Sequence, residues 1–234
     1  MNEQEDFIVA KPYTPTEEEK KAIKELEAKG LTSDDWDSGK TYIKSFKKNL
    51  RDDMYDKQNK RCAYCRIHVP KACDPLQREH IVYKNDHPQW TFLPENLCVS
   101  CFWCNNWKGT TEVLTDPQTV DYPKASEGFK IIHPLYDRYS EHIELIGDVL
   151  YRGKTDKGIF TIETCHLYRV DLAEERVDMK MLADNKGSII AELIGLTKLS
   201  DSYVDDREKF NKIVTGIVEK YKKGQAKAES AQGS

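Results

Sequence analysis

Between Arg61 and Gly109 the sequence gathers the residue types that could do chemistry: two Cys-x-x-Cys pairs, Cys62/Cys65 and Cys101/Cys104, with the dipeptide Glu79-His80 between them. Two such knuckles brought together offer thiolates in the tetrahedral arrangement that zinc prefers. Cys62, Cys65, Cys101 and Cys104 are therefore the expected ligands of a structural Zn²⁺, and the gap between the pairs has room for a hairpin. A redox dithiol and an iron site are the other uses of such pairs. A redox pair belongs at a helix start near a strand–helix–strand unit, which the surrounding pattern does not show. Cys98 falls in the apolar run Leu97-Cys98-Val99 and reads as a buried core thiol, Cys73 as a spare or replacement ligand, and Cys165 as a lone cysteine without sign of activation.

Zinc alone would only staple the segment. Hydrolysis of a phosphodiester needs a base for water, a divalent ion for the charge on phosphate, and a positioned substrate. His80 is the candidate base, because an imidazole titrates near neutrality. Glu79 is a hard oxygen ligand suited to Mg²⁺ or Mn²⁺, and Asn105, next to Cys104 at an expected helix start, offers a second one. Neighbouring side chains on a strand point to opposite faces, so Glu79 and His80 share one site only at a strand end or an irregular turn. The plain alternative for His80 is a satisfied core histidine. His68 and His87 read as surface or supporting residues, and His133 and His142 as a hydrogen-bonded cluster around the turn Tyr136–Tyr139. Trp90, Trp103 and Trp107 read as core or knuckle packing, with an exposed Trp107 able to stack on a base.

The elements that must position these groups can be taken in order. Residues 1–15 read as an extended arm. Thr16 with Glu19 three residues on is a capping box, opening a helix that ends near Lys29 at Gly30, with Ile23 and Leu26 as its anchors. Trp36 follows in a turn and reads as a core residue. Ile43, Phe46, Leu50 and Met54 have helical spacing, so a helix is expected over about 40–59, its lysines forming a solvated face or a phosphate-contacting one. After the central stretch a loop carries Pro117 and Pro123. Short strands are expected at 129–134 and 158–162, and a hairpin at 142–146 and 149–151 around Gly147-Asp148. Helices are expected over 167–182, 188–196 and 204–221, and the last dozen residues as a disordered tail.

The net charge is -4 with a pI near 5.9, so the chain lacks the basic excess of a stand-alone nucleic-acid binder. Action on nucleic acid then needs charge segregated onto one face, or help from a metal or a partner protein. No apolar run approaches the roughly 20 residues of a membrane helix. The N-terminal residues show no signal-peptide pattern, so no membrane association and a cytoplasmic location are expected; paired cysteines in a reducing compartment more often bind metal than form disulfides.

The pattern Cys62-x-x-Cys65, Glu79-His80-Ile81, Asn96-Leu97, Cys101-x-x-Cys104-Asn105-x-x-Lys108-Gly109 resembles the HNH endonucleases with a zinc-knuckle ββα-metal core. More loosely, the stretch from the helix before Cys62 through residues 129–137 and 158–162 is similar to the HNH proteins of Septu and retron-associated anti-phage systems, which work beside an ABC-type ATPase. The resemblance implies His80 as general base, Asn96 as the brace of the loop, and Asn105 and Glu79 as holders of a catalytic Mg²⁺ or Mn²⁺. Glu79 stands where many members have Asp, one methylene shorter. It also implies Lys108 on a substrate phosphate, DNA as substrate and an ABC-type ATPase as partner. The expected architecture is α+β: an N-terminal arm and helices over residues 1–60, the zinc-stapled ββα-metal (HNH) core over 61–115, an α/β support and partner-docking region with a small β-hairpin over 116–222, and a tail over 223–234. The expected activity is metal-dependent DNA hydrolysis within a defence complex. The competing readings are a non-catalytic zinc adaptor that docks protein or nucleic acid, and a thiol redox switch.

Overall fold

The structure is a computed structural model that describes residues 7–69, 76–183 and 215. Cys73, the tail, and the helices expected over 188–196 and 204–221 (Thr215 apart) lie outside the described residues. The chain divides into two compact units, one of residues Met1–Ile143 with Gly153–His166, the other of Glu144–Arg152 with Leu167–Ser234.

In the first unit, helix α1 spans Glu17–Glu27, opened by the Thr16/Glu19 capping box and followed by Gly30 at φ 83°. Ala22, Ile23 and Leu26 are buried, and so is Glu19. The carboxylate of Glu19 is fully satisfied: it accepts from Tyr13 Oη (2.6 Å), Ser45 Oγ (2.9 Å) and Asn49 Nδ2 (2.8 Å), which ties α1 to helix α2, Thr41–Lys57. On α2, Ile43, Phe46, Leu50 and Met54 are each 0% exposed, as their spacing requires. The helix ends at Gln58, whose amide accepts from Val99 N (2.9 Å) and donates to Val99 O (2.7 Å), mimicking a strand edge. Residues 7–15 run without helix or strand, with Phe7, Val9 and Tyr13 buried and backbone bonds from Val9 N to Pro134 O and from Tyr139 N to Phe7 O.

Strand β1 (Leu76–His80) pairs antiparallel with β2 (Leu97–Cys101), with Glu79 opposite Cys98 and His80 opposite Leu97. β2 runs directly into helix α3, Phe102–Lys108, so two strands and a helix form the centre of this unit. Every residue of β2 except Cys101 is buried. A single helical turn, α4 (Tyr139–His142), leads to β3 (Ile143–Ile146), and Gly147-Asp148 turns the chain into β4 (Leu150–Gly153). Both turn residues have φ 60°, the signature of the tight hairpin turn expected there.

Two expected strands are not formed. Residues 129 and 131–134 are buried and Lys130 is half-buried, but the stretch is irregular, with only Phe129 bridging to Leu114. Their amides go elsewhere: Ile132 N to Thr161 Oγ1 (2.9 Å), His133 N to the Asp137 carboxylate (2.7 Å), while Pro134 has none. Residues 158–162 belong to helix α5, Asp156–Thr164. Thr155 caps it by accepting from Gly158 N, and Gly158 itself is pressed on His142 O so closely that an added Cβ would lie 1.9 Å away.

In the second unit, helix α6 covers Val170–Ala183, close to the range expected. Leu172, Ala173 and Val177 are buried, and Arg176 bonds the Tyr151 hydroxyl of β4 at 2.6 Å.

Candidate active site

Cys62, Cys65 and Cys104 are 0% exposed, Cys101 is half-buried, and the Sγ atoms of all four lie within 4.8 Å of one another. Tetrahedral coordination with Zn–S bonds of about 2.3 Å places sulfurs about 3.8 Å apart; Cys65 Sγ and Cys101 Sγ are separated by 3.8 Å. The donor set and its spacing fit zinc. In the first knuckle Tyr64 N donates to Cys62 Sγ, and Arg66 closes the turn in the left-handed region at φ 56°. In the second, Cys101 sits at the N-cap of α3 and accepts from Cys104 N at 3.4 Å. Burial alone would push the Cys62 thiol up, but hydrogen bonds from Cys101, Cys104 and Cys65 hold it well below the usual range. Arg66 is buried against the Phe7 ring and bonds Cys62 O (3.1 Å); burial lowers its pKa to about 10. Cys165 does not stand alone: it is buried and hydrogen-bonded to Cys104.

His80 ends β1, and its ring is enclosed on two sides. Nε2 lies 3.0 Å from Thr91 O, and the Trp36 ring meets the imidazole edge-on at 4.5 Å between centroids. A carbonyl only accepts, so Nε2 carries the proton and Nδ1 keeps its lone pair. Burial lowers the pKa to about 3, with Lys84 and Lys108 adding to the effect and the Thr91 bond opposing it. His80 is a neutral imidazole with one open nitrogen.

The loop from Ile81 to Asn96 presents that carbonyl, and Asn96 holds the loop shut. Asn96 is 0% exposed; its Oδ1 accepts from Val82 N (2.8 Å) and its Nδ2 donates to Val82 O (3.1 Å) and Trp90 O (3.3 Å). Trp90, the neighbour of Thr91, is buried and stacked flat on His87 at 4.1 Å.

Glu79 and Lys108, expected on a metal and on a phosphate, are on each other. Lys108 Nζ lies 2.7 Å from Glu79 Oε1 with side chains only 1% and 4% exposed, and it also donates to His80 O at 3.0 Å. Tyr64 Oη donates to the same carboxylate oxygen at 3.3 Å. β1 keeps its regular pairing through both residues, so Glu79 turns toward Lys108 and Tyr64 while His80 turns toward Trp36 and Thr91. Asn105 is half-buried in the middle of α3 rather than at its start.

Of the other candidates, His68 is exposed and His133 is buried, bonded to Tyr122 Oη at 2.9 Å. His142 lies 3.4 Å from Asp137, which also pairs with Lys157, so this cluster is a packing network. Trp103 and Trp107 are not packed into the core: they are 50% and 44% exposed on α3, and Trp107 stacks on His166. Trp36, Thr91 and Tyr64 were not anticipated at the site. Thr91 acts through its backbone, which leaves no residue-type signal.

No family model and no solved structure matches the chain. It is similar to a curated protein, the Septu protein PtuB of Bacillus thuringiensis, at 29% identity over 133 residues, which is 57% of this chain and 44% of that protein. The chain thus spans less than half the length of that relative.

Proposed function

We propose that this protein is an HNH-type endonuclease that hydrolyses DNA, the nuclease part of an anti-phage defence system with an ABC-type ATPase partner. The observation that carries it is the geometry of His80, with Nε2 fixed on Thr91 O and Nδ1 left open at the end of a cysteine-stapled hairpin. A base held in one tautomer is what water activation requires, and a zinc adaptor has no use for one. The similarity to the Septu protein supports the defence setting. The acidic pI of about 5.9 supports reliance on a partner for DNA affinity.

In this reading the four thiolates hold zinc, which fixes α3 against β1 and β2. His80 Nδ1 takes the proton of the attacking water, Nε2–H stays on Thr91 O, and Asn96 keeps that acceptor in place. The Mg²⁺ or Mn²⁺ expected on Glu79 and Asn105 does not fit Glu79 as the structure has it, because the carboxylate is buried and already carries the Lys108 ammonium.

The test is supercoiled plasmid with wild type and His80→Ala at low salt, with Mg²⁺, Mn²⁺ or EDTA, alone and with an ABC-type ATPase of the proposed defence system. Nicking or linearisation that disappears in the variant while zinc content and melting are kept supports the nuclease. Cleavage that survives in His80→Ala, or full defence by that variant in cells, would favour the adaptor.

A further inference from the structure

The turn that carries Trp36 lies well outside the cysteine-bounded segment, yet it reaches the candidate base. Residues Ser33–Asp37 form one short 3-10 turn, closed on itself by Thr32 N and Oγ1 donating to Asp35 Oδ2 at 2.9 and 3.1 Å. Two lysines from different elements anchor it. Lys47 of α2 donates to Trp36 O at 2.8 Å and places its ammonium 5.4 Å over the indole. Lys84, four residues after His80, donates to Ser33 O at 3.0 Å. The turn is thus fastened to the same loop that supplies Thr91 O.

The indole is buried and packs tilted on Phe92 (5.5 Å) and edge-on to Phe46 (6.4 Å), besides its 4.5 Å edge contact with the His80 ring. Phe92 follows Thr91 directly. Trp36 therefore touches both the imidazole and the neighbour of its acceptor. An imidazole with one hydrogen bond still swings about Cβ–Cγ and can present either nitrogen. A rigid ring packed on its edge removes that freedom.

We propose that Trp36 is the positioning residue for His80: by closing one side of the imidazole it keeps Nε2 on Thr91 O and leaves Nδ1 as the nitrogen presented to water. This rests on the reading of His80 as a base for its consequence in catalysis, but its geometric content stands apart from that reading. Trp36 itself touches no reacting atom.

The experiment uses the full zinc-loaded chain with ¹⁵N-labelled histidine, and reads the His80 ring tautomer at neutral pH by long-range ¹H–¹⁵N correlation, beside plasmid cleavage in the presence of the ATPase partner. Three forms are compared. Trp36→Leu keeps apolar bulk without the flat ring, Trp36→Phe restores an aromatic edge, and Lys84→Met releases the turn without touching the indole. Wild type and Trp36→Phe are expected to show His80 protonated at Nε2 alone. Trp36→Leu is expected to show a mixture of both tautomers and a cleavage rate constant lower by roughly 100-fold with the DNA concentration at half-maximal rate little changed; Lys84→Met is expected to fall between. A purely structural role would leave the tautomer in Trp36→Leu as in wild type, and that result overturns the proposal even if cleavage falls. If no form cleaves DNA, the nuclease reading fails while the tautomer still decides the role of Trp36. If Trp36→Leu does not fold, the tautomer in Lys84→Met decides it.

Discussion

Replacing Lys108 by Met is the perturbation whose outcome the structure fixes most tightly. Lys108 Nζ and Glu79 Oε1 are 2.7 Å apart, with side chains 1% and 4% exposed, so solvent screens almost nothing. Removing one member of a buried pair strands the other charge, at about 3–5 kcal/mol. Only Tyr64 Oη, at 3.3 Å, would remain on the carboxylate. For a unit of this size each kcal/mol shifts the melting temperature by about 2–4 °C, so Lys108→Met should melt roughly 6–20 °C lower near neutral pH. The pH dependence has a definite sign. Burial pushes the Glu79 carboxyl above 4.5, and Lys108 and Tyr64 pull it back. A carboxyl raised in the folded state binds protons on folding, so its contribution is full below the unfolded value and is lost as pH rises through the folded one. Without Lys108 the folded value moves further up, so the deficit of the variant is largest at neutral pH and shrinks on mild acidification, where Glu79 becomes neutral. Glu79→Gln combined with Lys108→Met should cost less than the two separate losses added together. The assay is thermal and urea melting of zinc-loaded wild type, both single variants and the double variant. Lys108→Met melting within 2 °C of wild type, with the two losses additive to about 0.5 kcal/mol, would refute the pairing.

Acid should destabilise the fold ahead of carboxylate titration. His80 and His133 each have their pKa lowered by burial from 6.5 to about 3, so the unfolded chain takes up protons first, and stability should fall by roughly 1.4 kcal/mol per pH unit for each group across that window, read by urea melts at stepped pH. For the same reason the cleavage rate should show no acid limb from His80 near 6.5. Asn96→Ala orphans Val82 N and Val82 O inside the protein and leaves Trp90 O with Leu93 N alone; it should cost about 2 kcal/mol or more, with cleavage lowered beyond what the melting shift explains; Asn96→Asp, which keeps only the acceptor for Val82 N, should rescue little of either. Metal analysis should find zinc on the Cys62, Cys65, Cys101 and Cys104 cluster, and a strong chelator should unfold the hairpin and α3 together, as protease susceptibility of residues 60–110 would report.

Much of the scaffold was legible from the residues. The spacing of Ile43, Phe46, Leu50 and Met54 allowed only a helix with one buried face, the Thr16/Glu19 box marked a helix start, and Gly147-Asp148 supplied the left-handed conformations of a tight hairpin. The cysteine spacing likewise foretold the cluster. The failures share a cause. Ile159, Phe160 and Ile162 form a short apolar run that fits strand or helix equally, and the deciding residue was Thr155, a cap outside the run. Phe129 to Pro134 has strand-like composition, but the amides of Ile132 and His133 are claimed by side chains of Thr161 and Asp137 that only the folded chain brings near.

The same limit explains the site. The motif put Glu79 and His80 side by side, and adjacency in sequence suggested a shared function. Regular pairing of β1 turns adjacent side chains to opposite faces and gives each its own company: Lys108 and Tyr64 for one, Trp36 and Thr91 for the other. What joins the two faces is backbone. Lys108 grips the Glu79 carboxylate and the His80 carbonyl with one ammonium, and it stands one turn after Cys104 on α3. The cysteine cluster, the buried ion pair and His80 are therefore linked in one chain of contacts. A change at the cysteines should reach His80 through Lys108 without any change in the imidazole's own partners.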